Sequence, residues 1–493
     1  VGRTRDHNED NFLVDKKLNL FVVADGMGGH AAGEVASSVA VREVRKVMSE
    51  GRELIHSYAA NQTPSGREAI LQLIERAIEV ACARVFQLAE ENPARKGMGT
   101  TLSLMLVAGP RGFIGHVGDS RIYLVRRGGV HQITEDHSLI NELIKRGRLK
   151  PGDVFDSPYK NAVTRAVGVY ETVEVDAFDI DVLPDDNLLL CSDGLSCYLD
   201  DELTRSYTTR KDVKTIPDDL IRLANEKGGK DNITAIMVRI LSENVPVETA
   251  RVTMVERKTT ALQSQQLFRY LSYREIVKLL NLAERRSFTP GDVLSKEGER
   301  SDEMMILLSG AVALSRAGTQ VAELGPDDAL GESCLLEDSP RDLTATAMVA
   351  TEALVLKRVQ LHGLMSNNSK LGCKLLWSLG QLLQTRVRLS GAELLHADET
   401  IRGLVAGDAS VAERPMLAPG LSPVTSMPVT VTDEVEPPFV SAESEGGTDP
   451  LVAAPPPGPP AQANTSVGLE QTQPNLRASQ LAAIKSAPPL DED

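Results

Sequence analysis

"LFVVADGMGGH", residues 20–30, places an aspartate and three glycines directly after an apolar run. The run from Leu20 to Val23 predicts a buried strand, and a carboxylate beside such a strand is costly unless something pairs with it. Asp-Gly is also a common turn dipeptide, and for this stretch alone a turn is the favoured interpretation. The alternative, part of a binding site, depends on what the rest of the chain contains.

The same arrangement recurs along the first half of the chain. Carboxylates follow the apolar runs "GFIGHVG" and "NLLLCS", precede "NITAIMV", and lie in the opening segment "RDHNEDN". If these groups converge, each pair of carboxylates about 4 Å apart costs roughly 4 kcal/mol at an effective dielectric near 20. Cations or protons must then offset the repulsion, and a ligand set made only of oxygen suits Mg²⁺ or Mn²⁺. The carboxylates concerned are Glu9, Asp10, Asp25, Asp119, Asp193 and Asp231.

Composition limits the classes of protein that the chain can belong to. Its 493 residues are too many for one core, so two or more domains are expected. A formal net charge of −16 argues against a nucleic-acid partner. Five cysteines without paired metal-ligand spacing favour a reducing compartment. Without a long apolar run or a leader-like start, we expect a cytoplasmic protein with no membrane partner.

Residues 1–240 predict a domain of mixed helix and strand. Apolar positions recur with helical spacing over 33–50 and over 67–90. Short runs such as "TLSLMLVAG" and "NLLLCS" predict strands, and "RIYLVRRGGVHQIT" predicts a hairpin that turns at Gly128 and Gly129. The fold class indicated is α+β, with a sheet-rich core flanked by helices.

The rest of the chain divides into three further segments. A polar stretch, 241–261, is predicted to be a linker, and 262–395 predicts a second domain of short strands between two amphipathic helices. Residues 396–493 hold 15 of the 26 prolines, and their 4 Lys and Arg against 14 Asp and Glu give a net charge of −10. Such an acidic, Pro-rich tail is expected to be disordered, because it buries too little apolar surface to offset its ordering entropy.

Residues 1–240 resemble the metal-dependent (PPM, type 2C) Ser/Thr protein phosphatases. The motifs that carry the resemblance are, in order, "RDHNED", "DGMGGHAAGE", "GTTLS", "GHVGDSRIYL", "TEDHSL", "VTRAVG", "LCSDGL" and "KDNITAIMV". The resemblance implies an αββα sandwich with a two-metal centre at one edge, whose ions activate a water for attack on phosphorus. It also implies residue roles: Asp25 bridges both ions, Glu9 and the Gly26 carbonyl bind one, Asp193 and Asp231 bind the other, Asp10 orients water, and Arg5 binds the substrate phosphate.

Two positions depart from patterns in that family. Met27 stands where some relatives have a histidine that acts as general acid, and the spacing of His30 does not make it equivalent. Cys197 replaces an aspartate that helps to hold a third ion, although Asp119 remains, so a third metal stays an open question. The segment 138–165 corresponds to the family's flap beside the site.

In the second domain, "LGESCLLEDSPRDLTATA" contains a candidate anion pocket. Gly331 and Glu332 lie where a short helix could begin, and Arg341 follows nine residues later; a surface salt bridge is an equally good interpretation of that spacing alone. Residues 262–392 resemble the cyclic-nucleotide-binding domain of the catabolite activator, which implies a β-roll with Glu332 on the ribose hydroxyl and Arg341 on the phosphate. Asp342 follows the arginine, where its charge would repel a phosphate, so a domain that has lost its ligand is the alternative.

The sequence therefore predicts a metal-dependent Ser/Thr protein phosphatase regulated by a second, nucleotide-binding-like domain. The implied partners are phosphoserine and phosphothreonine proteins, Ser/Thr kinases and their substrates, and cAMP or cGMP. The competing hypothesis is a signalling scaffold with a catalytically weak phosphatase fold. Retention of every carboxylate of the two-metal set favours the enzyme.

Overall fold

Two antiparallel sheets form the centre of the first domain. In one, the strand order is β1-β2-β4-β5-β8 with β3 beside β2, and in the other it is β10-β9-β6-β7. The computed structural model describes residues 1–28, 31–145, 148–149, 162–210, 212–241, 245–335 and 340–405. The strands are β1 Asp10–Asp15, β2 Leu20–Met27, β3 Gly99–Thr100, β4 Leu102–Ala108, β5 Arg111–Val117, β6 Arg121–Arg126, β7 Gly129–Gln132, β8 Asp176–Asp181, β9 Asn187–Cys191 and β10 Ala235–Arg239.

Helices cover both outer faces of this pair of sheets. Ile74 belongs to the apolar layer between the first sheet and its helices, and Leu220 to the layer outside the second sheet. Ile114 and Leu190 meet between the two sheets. The helices of this domain are α1 Ala31–Glu50, α2 Arg52–Ala60, α3 Pro64–Glu91, α4 Leu139–Lys145, α5 Asp193–Ser196, α6 Asp201–Thr208 and α7 Ile216–Glu226. The four layers are those of an αββα sandwich, which confirms the predicted fold.

Local sequence explains several element boundaries. Thr63 accepts a hydrogen bond from the Gly66 amide and precedes Pro64, so α3 begins with a side-chain cap and a proline in its first turn. The predicted hairpin joins β6 to β7, but it turns at Arg127 and Gly128, one residue earlier than predicted, and these two residues have positive φ, of 49° and 80°. Positive φ at both central residues matches the twist of the flanking strands.

A β-roll of two four-stranded sheets follows in the second domain. The strand orders are β11-β18-β13-β16 and β12-β17-β14-β15. Leu307 lies in the apolar layer inside the roll, and Ile306 packs under the surrounding helices. The elements are α8 Val245–Gln263, α9 Tyr273–Leu282, β11 Glu284–Phe288, β12 Val293–Ser295, β13 Glu303–Ser309, β14 Val312–Arg316, β15 Thr319–Leu324, β16 Ala329–Leu330, β17 Thr344–Ala347, β18 Thr351–Lys357, α10 Arg358–Asn367 and α11 Ser369–Val405.

Two segments are more helical than the sequence indicated. Most of the stretch predicted as a linker, 241–261, forms α8, whose Ala261 and Leu262 are fully buried against the second domain. Helix α11 continues to Val405, past the predicted start of the tail at 396, so disorder from 396 onward is wrong for those first residues. The remainder of the predicted tail lies outside the described residues. No described helix combines the length and the apolar character needed to cross a bilayer.

Candidate active site

The pairing of β1 with β2 sets two of the predicted carboxylates side by side. Asp10 lies directly opposite Asp25 in the antiparallel register, and Cα atoms of such pairs are about 4.5–5.5 Å apart. Strand β2 runs on through Asp25 to Met27, so the interpretation of Asp25-Gly26 as a turn is wrong. The Asp25 carbonyl accepts hydrogen bonds from the Thr101 amide at 2.8 Å and the Thr100 hydroxyl at 2.9 Å. The strand end that bears Asp25 is therefore held by its neighbours.

Glu9 is fixed by contacts that the sequence motifs did not reveal. Its amide donates to Asn232 Oδ1 at 2.7 Å, and its carbonyl accepts from the Ser37 hydroxyl at 2.6 Å and from the Gly26 amide at 3.1 Å. A Cβ at Gly33 would lie 2.7 Å from Glu9 Cδ, so only glycine fits beside this carboxylate. Asn232 belongs to the motif "KDNITAIMV" and Gly33 to "DGMGGHAAGE". Their positions in these motifs were the only indication in the sequence that they contribute to the site.

The Asp10 carboxylate is buried and only half satisfied. Its Oδ2 accepts hydrogen bonds from the Ser192 hydroxyl at 2.8 Å and the Thr234 hydroxyl at 2.7 Å. Its Oδ1 is buried without a hydrogen-bond partner, and the residue is 5% exposed. Two hydroxyls that arrive from different strand ends thus fix the orientation of one carboxylate.

The other predicted ligands arrive from the second sheet. Asp193 begins α5 directly after β9, and Asp231 lies in the loop before β10. Arg5 donates to Asp231 Oδ2 at 2.7 Å, so the predicted phosphate-binding arginine is paired with a predicted metal ligand. Asp119 follows β5 in the bend at the end of the first sheet. The structure thus brings together all the carboxylates that the sequence singled out.

Burial and mutual repulsion raise the pKa values of these acids. Burial raises the pKa of Asp25 well above its ordinary value, with further contributions from Asp10, Asp193 and Asp119. Burial raises the pKa of Asp10 to about 6 and that of Asp119 to about 7, and Asp193 adds repulsion to both, although hydroxyl hydrogen bonds moderate the shift of Asp10. These direct electrostatic couplings place the carboxylates in one cluster.

The cluster leaves several oxygens that need a cation, a proton or a water molecule as partner. Glu9 Oε1, Asp10 Oδ1 and Asp193 Oδ1 are buried without a hydrogen-bond partner. In the described part of the chain, no three His, Cys, Asp or Glu side chains are already arranged as ligands around one point. Asp231 is paired with Arg5. The donor atoms of these residues are all oxygens, which suits divalent ions such as Mg²⁺ and Mn²⁺, although they are not arranged around one point.

The candidate anion site of the second domain is partly filled by its own side chains. The Arg341 guanidinium donates to Ser301 Oγ at 2.9 Å and to the Glu303 carbonyl, and its Nε is buried without a partner. The guanidinium lies directly against Gly331, which has a φ of +88° and could not carry a Cβ there. Glu332 accepts from Arg386 at 2.8 Å, so the ion pair that it forms is with Arg386 of α11 and not with Arg341.

A cavity of about 290 Å³ adjoins these residues. One wall is the β-roll, with Leu314, Leu330 and Arg341, and helix α11 supplies Leu382 and Arg386 to the other. Asp342 also lines the cavity, so its negative charge would repel an anionic ligand there, as predicted from the sequence. Residues 336–339 of the predicted phosphate-binding segment lie outside the described residues.

Comparisons with known proteins divide at the same place as the fold. The sequence profile of the family described as "Protein phosphatase 2C" matches residues 3–241, and that of the "Cyclic nucleotide-binding domain" matches 285–368. The serine/threonine phosphatase stp of Listeria innocua is 38% identical over 241 residues, which are 48% of this chain and 92% of the relative. The chain belongs to the protein phosphatase 2C family. The predicted enzyme class, a protein serine/threonine phosphatase, is thereby confirmed.

Two further relatives match the same half of this phosphatase 2C chain. The protein phosphatase PhpP of Streptococcus pneumoniae is 33% identical over 249 residues, which are 50% of this chain and 96% of the relative. The crystal structure of the serine/threonine phosphatase PstP/Ppp of Mycobacterium tuberculosis is 33% identical with a TM-score of 0.43, over 49% of this chain and 95% of that one. These relatives match only about half of the chain, so the similarity of the second domain to the cyclic nucleotide-binding family rests on the family profile alone.

The departures from the phosphatase 2C pattern have structural counterparts. Met27 ends β2 beside the site, and it cannot donate a proton. Cys197 is exposed as a residue, but partial desolvation of its thiol group, with repulsion from Asp193, raises its pKa to about 11, so it stays a neutral thiol near neutral pH. His30 and half of the flap predicted at 138–165 lie outside the described residues. Of the flap, the structure describes 138–145, which includes α4, and also 148–149 and 162–165.

Proposed function

We propose that this phosphatase 2C domain hydrolyses phosphoserine and phosphothreonine in proteins with two bound divalent ions, Mn²⁺ or Mg²⁺. The observation that carries the proposal is the cluster of buried carboxylates whose oxygens lack partners, Glu9 Oε1, Asp10 Oδ1 and Asp193 Oδ1. A buried anion without a counter-charge is expensive, and divalent cations remove that cost for several carboxylates together.

The residues that would hold the ions follow from their positions. Glu9 comes just before β1, Asp25 and Gly26 come from β2, and Asp193 and Asp231 come from the second sheet. The family resemblance implies that Asp25 would be shared and that Glu9 and the Gly26 carbonyl would bind one of the ions. When bound, the ions would supply an activated water and would neutralise charge that develops on the phosphate. Asp119 stands next to the cluster and could help to hold a third ion. It would have to do so without the second aspartate, because Cys197 stands at that position.

The protein's own side chains position the reactants. Asp10, oriented by Ser192 and Thr234, keeps one oxygen free to accept a hydrogen bond from the attacking water. Arg5 is half-exposed and near Asp231, so its planar guanidinium can turn to two phosphate oxygens once Asp231 serves another partner. With methionine at 27, solvent protonates the leaving alkoxide.

A direct test is hydrolysis of a phosphothreonine peptide and of p-nitrophenyl phosphate by the full chain. We expect turnover with Mn²⁺ or Mg²⁺, none with EDTA, and none in Asp193→Asn with the fold retained. Asp200→Asn, an exposed aspartate that only caps α6, is the matched control and should stay active. Metal-independent turnover, or an active Asp193→Asn, would contradict the two-metal proposal, and no turnover with either metal would favour the scaffold hypothesis.

For the second domain, we propose that the cavity beside Gly331, Glu332 and Arg341 binds a cyclic nucleotide, cAMP or cGMP. Arg341 lies at the cavity with an unpartnered Nε, which supports an anionic ligand, whereas Asp342 opposes it. The test is a thermal-shift titration, because a ligand that binds only the folded state raises the melting temperature by mass action. No shift at millimolar ligand would favour a domain that has lost its ligand.

A further inference from the structure

Helix α9 of the second domain is built into the phosphatase sandwich. Val277 is 5% exposed and belongs to the apolar layer between the two phosphatase sheets. Tyr273 stacks on His131 of β7 with ring centroids 4.0 Å apart, and its hydroxyl accepts from Arg126 at 2.8 Å. Asn281 at the other end of the helix accepts from Arg111 at 2.7 Å. The helix is therefore fixed along its length to the phosphatase.

Arg274 makes the most buried polar contact of this boundary. It is 8% exposed and donates to Glu135 Oε2 at 2.7 Å and to Asp176 Oδ2 at 2.5 Å. Glu135 belongs to the phosphatase motif "TEDHSL", and Asp176 begins β8. An arginine buried between two carboxylates holds both in one geometry, because loss of either bond leaves a buried charge unpaired.

These carboxylates are linked to Asp119 by a short series of contacts. Asp176 Oδ2 lies 3.5 Å from His137 Nε2. His137 Nδ1 accepts from the Gly118 amide at 3.1 Å, and the His137 amide donates to the Gly118 carbonyl at 2.7 Å. Gly118, with a φ of +109° and Thr101 against it, places the next residue, Asp119, in the carboxylate cluster. A shift of Arg274 thus reaches the active site through direct contacts.

The opposite side of α9 is tied to the helix that lines the nucleotide cavity. Glu275, the residue after Arg274, accepts from Lys374 of α11 at 2.6 Å, and both side chains are largely buried. Further along α11, Arg386 lines the cavity and donates to Glu332. A ligand hydroxyl that donates to Glu332 would share this carboxylate with Arg386, so ligand binding acts directly on the ion pair that joins α11 to the cavity.

We propose that helix α9 couples the cavity of the second domain to the phosphatase site, with Arg274 as the residue that positions the Asp119 loop. The route is Glu332 to Arg386 on α11, Lys374 to Glu275 on α9, and Arg274 to the Asp176–His137–Gly118 contacts. The proposal deepens the proposed function and rests on it, since it names how the second domain acts on that same site. Adjacency by itself does not demonstrate coupling, so the test measures the coupling directly.

The test is a double-mutant cycle between Lys374 and Arg386 of α11, in the full chain. Arg386→Ala removes the ion pair with Glu332, on which ligand binding is expected to act. Lys374→Met removes the ion pair with Glu275 of α9 and keeps an aliphatic side chain at that position. The readouts are kcat and KM for p-nitrophenyl phosphate with Mn²⁺, and hydrogen exchange of metal-free protein over 118–120 and 134–138. Arg388→Ala, an exposed position two residues away on the same helix, is the control for Arg386→Ala.

The expected result is that Arg386→Ala changes kcat about five-fold or more, with little change in KM, and alters exchange over both segments. In the Lys374→Met background, both effects should disappear, and Arg388→Ala should have neither. Equal effects of Arg386→Ala in both backgrounds, or no effect in either, would overturn the coupling. If no variant or parent hydrolyses phosphate, the proposed function fails, and hydrogen exchange alone still decides whether the two domains are coupled.

Arg274 itself is tested with a conservative pair of variants. Arg274→Ala removes both ion pairs and should lower kcat and raise hydrogen exchange over 134–138, whereas Arg274→Lys should restore part of kcat through one pair. The exposed Arg269→Ala, just before α9, controls for loss of charge near the boundary. If Arg274→Ala does not fold, the Lys374→Met cycle decides the proposal; if it folds with kcat and exchange unchanged, the positioning role is wrong.

Discussion

Replacement of Asp10 by asparagine should stabilise the metal-free protein and at the same time abolish its phosphatase activity. The asparagine oxygen can still accept from Ser192 and Thr234, so the substitution mainly removes charge. Burial raises the pKa of Asp10 from its ordinary value of 3.8 to about 6. A difference of about two pKa units corresponds to roughly 3 kcal/mol of destabilisation by the ionised form, at about 1.36 kcal/mol per unit.

The pH dependence of this gain has a defined sign. Because the folded-state pKa is raised, protonation of Asp10 stabilises the native state at low pH, and that stability is lost as the pH rises through about 6. The Asp10→Asn protein has no such loss, so its advantage should be largest above pH 7 and should fall to about half at pH 5. Activity should be lost at every pH, because the amide NH2 group of asparagine takes the place of the carboxylate oxygen that accepts from the attacking water, and it cannot accept a hydrogen bond.

The assay is hydrogen exchange of β1 and β2 in EDTA-treated protein at pH 5.0 and 7.5, converted to free energies of opening. Asp15→Asn on the same strand is the matched control with the opposite sign. There hydrogen bonds from the Lys17 and Leu18 amides outweigh burial and lower the pKa of Asp15, so its removal should destabilise. An Asp10→Asn protein that is less stable than the parent at pH 7.5, or equally stabilised at both pH values, would refute the reasoning.

Three further substitutions test separate parts of the account. Gly33→Ala should displace the Glu9 carboxylate and lower Mn²⁺-dependent kcat at least ten-fold (about 1.4 kcal/mol), measured beside circular dichroism to confirm the fold. Arg5→Lys should raise KM for a phosphopeptide more than it lowers kcat, because a lysine cannot bind two phosphate oxygens in a fork, and the reverse split would count against a substrate role. Arg386→Ala should tighten cyclic-nucleotide binding in a calorimetric titration by freeing Glu332, and weaker binding would mean that Arg386 contacts the ligand.

Much of the first domain could be predicted because its signals are local. The apolar spacing over 33–50 and 67–90 indicated helices that the structure places at Ala31–Glu50 and Pro64–Glu91. The carboxylate after each apolar run indicated a shared site, since strands that end at one edge bring their following residues together. The Asp25-Gly26 pair was ambiguous, because whether a strand continues through it depends on its neighbour β1.

Contacts between distant parts of the chain could not be predicted from local pattern. Ser192 and Thr234 orient Asp10 across 182 and 224 residues of sequence. The amphipathic segment that became α9 was expected to open the second domain, but its apolar face is shared between both domains. A polar stretch such as 241–261 shows weak helical patterning because it meets different neighbours along its length, and so it was predicted to be a linker.

The most direct test of the two-metal site is to count Mn²⁺ ions bound to EDTA-treated protein by calorimetry and electron paramagnetic resonance. The account predicts two ions per chain in the parent, with spin coupling between them, and loss of at least one ion in Asp193→Asn. It also predicts that turnover returns in proportion to occupancy. Full binding by Asp193→Asn, or turnover that does not follow the bound metal, would contradict it.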